Sequence, residues 1–99
     1  MFEINGEIWR VFLVPPNFFK LRKRDGSYTI GVCDDIDKGI YIHNHLNPEL
    51  FKKVLCHEIT HAAMFSYNVE LTIEQEEVLA DLIATYGQEI IRITNTIFY

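Results

Sequence analysis

At Leu46 the hydrophobic spacing of the chain changes from every second residue to about every 3.6 residues, the period of an α-helix. Strands therefore come first and helices second. This predicts an α+β fold, with an N-terminal antiparallel or mixed β-sheet of three to four strands packed on two main helices. Residues 1–99, with 48% hydrophobic content, supply one core and are expected to form a single small domain.

Turn chemistry divides the first half. Asn5-Gly6 tolerates the positive φ angles of a tight hairpin turn and joins Phe2–Ile4 to a strand beginning at Glu7. That strand is rich in branched and aromatic residues up to Val14, and Pro15-Pro16 stops it because proline cannot donate to a ladder. After the Asp25-Gly26 turn, Tyr28–Cys33 and Ile40–His43 read as two strands, paired antiparallel across the short acidic loop from Asp34 to Gly39. Ile40–His43 is the expected exposed edge, open to an extended peptide.

The second half carries clear helix signals. Asn47 is a good N-cap, Pro48 suits the first helical position, and Leu46 can staple against Phe51. Leu50, Phe51, Val54, Leu55, Ile59 and Ala62 supply a buried side, and Asn68 is placed to end the helix in a left-handed conformation. Thr72 and Gln75 fit a capping box that opens a second helix. Its apolar residues Leu79, Leu82, Ile83, Tyr86, Ile90, Ile93 and Ile97 recur at helical spacing, and Gly87 marks either a kink or a close contact.

Charge narrows the partners. Lys20-Leu21-Arg22-Lys23-Arg24 concentrates basic side chains, and its simplest reading is a solvated loop, since the chain as a whole carries a net charge of −5. An acidic chain without a basic face is a poor nucleic-acid binder. The acidic start Met1-Phe2-Glu3-Ile4 lacks the form of a signal peptide, and no apolar run approaches the roughly 20 residues of a membrane span. The expected location is the cytoplasm, where Cys33 and Cys56 would remain free thiols.

Chemistry concentrates in His57-Glu58-Ile59-Thr60-His61. Residues four apart share a helix face, so both imidazoles can reach one metal ion with Glu58 beside its water. Glu77 on the next helix completes two His and one Glu, a zinc ligand set that leaves a fourth position open. Asp81, one turn further, could accept the free ring N–H of a ligand histidine and fix its orientation. Zn2+ is the expected cofactor: it lowers the pKa of a bound water to about 7, and Glu58 is the expected general base. For the developing oxyanion the candidates are Tyr67, His43 and His45.

The pairing of His57-Glu58-x-x-His61 with Glu77-x-x-x-Asp81 resembles the gluzincin clan of zinc peptidases. The short spacing and the stretch from Ile73 to Ala84 further resemble small phage and prophage metallopeptidases of the ImmA/IrrE type. That resemblance implies a minimal zincin-like domain, hydrolysis of a peptide or protein substrate, a repressor among the candidates, and the cytoplasm of a bacterial host. The alternative is a non-catalytic phage or prophage interaction module, in which a structural metal braces the helices and the sheet edge binds a protein partner.

Overall fold

Asn5 and Gly6 adopt φ angles of 49° and 81°, the left-handed pair that a tight hairpin turn requires. They join β1 (Phe2–Ile4) to β2 (Glu7–Val14) in the computed structural model, which describes residues 1–98. Two further strands, β3 (Gly31–Asp34) and β4 (Gly39–His43), pair antiparallel as their loop predicts. The sheet order is β1-β2-β4-β3, with β2 and β4 parallel. The fold class is thus α+β with a mixed four-stranded sheet.

Two local expectations need correction. Ile40–His43 is not an edge: β4 lies between β2 and β3, so the open edge on that side of the sheet belongs to β3. Strand β3 also starts later than Tyr28, because Tyr28 bridges to Arg22 and the Thr29 amide donates to the Leu21 carbonyl. Tyr28 and Thr29 are thereby tied to the 3-10 turn Phe19–Leu21 and the residue after it, and the ladder is joined only from Ile30, whose carbonyl accepts from the His43 amide.

Helix α1 (Pro48–Ser66) begins where capping predicts, with the Asn47 side chain accepting from the Leu50 amide. It ends in a Schellman arrangement: Asn68 has φ 53°, its amide donates to the Phe65 carbonyl, and the Val69 amide donates to the Met64 carbonyl. Thr72 and Gln75 exchange reciprocal side-chain-to-amide bonds of 3.1 Å, opening α2 (Ile73–Phe98). At 1.5 Å per residue this helix is about 39 Å long and runs through Gly87 without a break.

Alternation along the strands sends side chains to two small cores. Trp9, Ile40 and Ile42 face α1 and pack with Val54 and Ala62, while Val14 and Tyr41 face the opposite side and meet Leu21 and Phe18 from the crossover. Lys20 holds that crossover to the β3–β4 loop through ion pairs of 2.7 Å to Asp34 and 2.5 Å to Asp37. The expected apolar stripe of α2 does not join either core: Leu82, Ile83, Tyr86, Ile90, Ile93 and Ile97 are exposed. Leu50 is exposed as well, at the mouth of the cleft described below.

The sheet is fastened to the end of α1 by a buried bond of 2.9 Å from the Trp9 indole N–H to the Ser66 hydroxyl. Trp9→Phe keeps most of the apolar volume but strands the buried hydroxyl. It should cost about 1–3 kcal/mol, measured by urea unfolding against the parent chain. An unchanged unfolding midpoint would show that the bond does not anchor the helix.

Candidate metal centre

The two helices run in opposite directions, so the exposed face of α1 past its midpoint meets the first turns of α2. His57 and His61 lie one turn apart on α1, and their Nε2 atoms approach to 3.1 Å. Glu77 of α2 closes a triangle, with Oε1 2.9 Å from His61 Nε2 and Oε2 3.2 Å from His57 Nε2. These three residues can offer ligand atoms that all lie within 4.8 Å of one another.

The rings are held from behind. Asp81 Oδ1 sits 3.0 Å from His57 Nδ1, and Glu76 Oε1 sits 2.6 Å from His61 Nδ1. An ionised carboxylate only accepts, so each Nδ1 must carry the proton. In neutral rings both Nε2 atoms then present lone pairs, aimed at each other and at a third anionic donor. Three electron-pair donors in mutual contact repel unless a cation lies among them. The donor set therefore fits a divalent ion, although tetrahedral zinc with bonds of about 2.0–2.2 Å needs donor–donor edges of about 3.3–3.6 Å, so the donors, now 2.9–3.2 Å apart, would open by a few tenths of an ångström around it.

Glu58 is 7% exposed and lies on the sheet side of this triangle. Burial pushes its carboxyl above the usual range, against the opposing pull of His57 and His61. What brings the sheet so close is Gly31 at the start of β3. A Cβ at Gly31 would fall 2.5 Å from Val54 Cγ1 and 3.3 Å from Glu58 Oε2, so only glycine fits. Adjoining hollows of about 410 and 340 Å³ share Thr29, Gly31, His57, Glu58 and Glu77 in their walls. They form a cleft between β3 and the helices.

Of the residues singled out from sequence, His57, Glu58, His61, Glu77 and Asp81 come together here. Tyr67 is the C-cap of α1, 59% exposed, and does not line either hollow. His43 and His45 bond to each other before α1, with the His45 amide donating to His43 Nδ1, and they too stand outside the cleft. Cys33 lines the cleft as a free thiol, and burial raises its pKa, which removes thiolate reactivity. Glu76 was legible only as part of an acidic helix face, yet it carries the shortest contact to a ring. Lys23 and Thr29, from the basic run and the segment before β3, also line the cleft.

Comparison with protein-family models, curated proteins and solved structures gave no match. The site's chemistry therefore rests on its own geometry.

Gly31→Ala should destabilise the chain by about 1–3 kcal/mol through overpacking against Val54. Adding Val54→Ala should recover part of that loss, because it removes the methyl that the new Cβ would strike. Thermal unfolding of the two single variants and the double variant reads this directly. Strictly additive losses would contradict the close approach.

Proposed function

We propose that the protein is a zinc-dependent metalloendopeptidase that acts in the cytoplasm. One observation carries the reading: the ligand atoms of His57, His61 and Glu77 converge beside a buried carboxylate at the open edge of a sheet. When bound, zinc supplies Lewis acidity toward a water and the scissile carbonyl.

The chain's own groups do the rest. Edge strand β3 offers unpaired backbone groups to an extended peptide, which would lie along the cleft with its scissile bond above Glu58. A Glu58 carboxylate oxygen takes the proton of the attacking water and returns it to the leaving amide nitrogen. Glu76 and Asp81 hold the two imidazoles in one tautomer, so that neither ring turns away during the cycle. The ImmA/IrrE resemblance makes a repressor a candidate substrate. Under the alternative, in which a metal only braces the helices, Glu58 has no task, although burying a carboxylate is costly.

Glu58→Gln should retain about one equivalent of zinc by elemental analysis and lose hydrolysis of a quenched-fluorescent peptide library by about 10²-fold or more. Full turnover in that variant would overturn the assignment of the base. Glu77→Ala should lose zinc while keeping its helical circular dichroism, and retention of the metal would remove Glu77 from the ligand set. A zinc-loaded parent chain that cleaves no peptide would favour the bracing role.

A further inference from the structure

The cleft beside the metal centre follows α1, and its two ends differ in chemistry from its middle. Ile30, Leu50 and Lys53 line one end, while Cys33, Phe65 and Lys23 line the other. Lys53 precedes His57 by one helical turn and so shares its face of α1. Lys23 comes from the Asp25-Gly26 turn, which is closed by the Lys23 amide on the Ser27 carbonyl at 2.7 Å and the Gly26 amide on the Lys23 carbonyl at 3.0 Å.

These two ammonium groups are unmatched. Lys20 and Lys38 sit in ion pairs and Lys52 bonds Gln88, whereas among the described residues Lys23 and Lys53 have no side-chain hydrogen bond or ion pair. Asp25, which feels Lys23 only through space, has its Oδ1 taken by the Ser27 amide and hydroxyl. The carboxylates of the site are already engaged: Glu77 spans both ring Nε2 atoms, Asp81 and Glu76 hold the ring Nδ1 atoms, and burial pushes Glu58 toward its neutral form. The charge left without a partner at either end of the cleft is therefore positive.

Strand β3 fixes where a peptide would lie. The Ile30 carbonyl accepts from the His43 amide, so by antiparallel alternation Ile30, Val32 and Asp34 turn their backbone groups to β4, and Gly31 and Cys33 turn theirs to the open edge. There the Gly31 carbonyl meets only the Thr29 hydroxyl, at 3.3 Å. Along α1, Lys53 lies about 7.5 Å before Glu58, and Phe65, at Lys23's end, lies about 10.5 Å beyond it. At about 3.3 Å per residue, about two and about three residues of extended chain cover those spans.

We infer that the cleft selects extended peptides bearing an acidic side chain on each side of the bond above Glu58, one taken by Lys53 and the other by Lys23. The inference rests on the peptidase reading for the fate of that bond, and on the two lysines for which peptides bind. Each exposed pair should raise affinity by up to about five-fold, and added salt should shrink the gain.

Fluorescence anisotropy of zinc-loaded Glu58→Gln tests it, with labelled random peptides that hold Glu, Gln or Lys at two positions about five residues apart. The Glu library should bind tightest and the Lys library weakest. Lys23→Glu and Lys53→Glu, both at exposed positions, should each lower the preference for Glu and together reverse it, with helical circular dichroism and zinc content unchanged. Libraries that bind equally or not at all would overturn the inference, as would a Glu preference that survives in the double variant. A preference for Lys would also overturn it, handing selection to the carboxylates of the site. Cleavage of the same libraries by the parent chain separates the two readings. Acidic peptides that bind but are never cut would sink the peptidase reading alone, and cleavage without charge preference would sink this inference alone.

Discussion

Two ring N–H bonds between the helices govern this molecule. Asp81 holds His57 and Glu76 holds His61, each at Nδ1, and because a carboxylate cannot donate, both rings are left with bare Nε2 atoms facing inward. The substantial contacts of α2 are with α1, so these same bonds also set how α2 sits on the domain. Helix packing and donor geometry are one interaction here. A rotation of α2 that broke the triangle would also release the rings.

Electrostatics gives that arrangement its tension. Glu58, Glu76, Glu77 and Asp81 surround two imidazoles, and Lys23 and Lys53 stand only at the walls of the hollows. Burial, with Glu77 adding to it, pushes the Glu58 carboxyl up, and a divalent cation bound here would offset the gathered negative charge. The apolar contribution is small, since among the described residues the core facing α1 holds five buried residues, led by Trp9, Ile40 and Ile42.

What was legible in the sequence was what neighbouring residues decide among themselves. Asn5-Gly6, the Asn47 cap, the left-handed Asn68 and the Thr72–Gln75 box each act over four or five residues, and each took its expected form. The identity of the edge strand was not legible. It depends on β4 inserting parallel to β2, a pairing between segments separated by the whole crossover, and alternation alone marks β3 and β4 equally well. The roles of Glu76 and Glu77 were hard to separate for a similar reason. Adjacent helical residues point about 100° apart, and which of two long carboxylates reaches a front or back ring nitrogen is set by the rotation of α2 against α1. The spacing of His57 and His61 could announce a ligand pair but not what stands behind it.

The polarity of α2 is the inverse of an ordinary surface helix, which turns its apolar stripe toward the core. In its first turns α2 turns carboxylates inward beside the fully buried Ala80, and in its second half it leaves Ile90, Ile93 and Ile97 exposed. Taken alone, either face conflicts with the environment in which it sits. On the inner face, a cation between the carboxylates and the rings would remove that conflict. Under the metal reading, a bound ion would therefore steady α2 against α1 as well as complete the donor set.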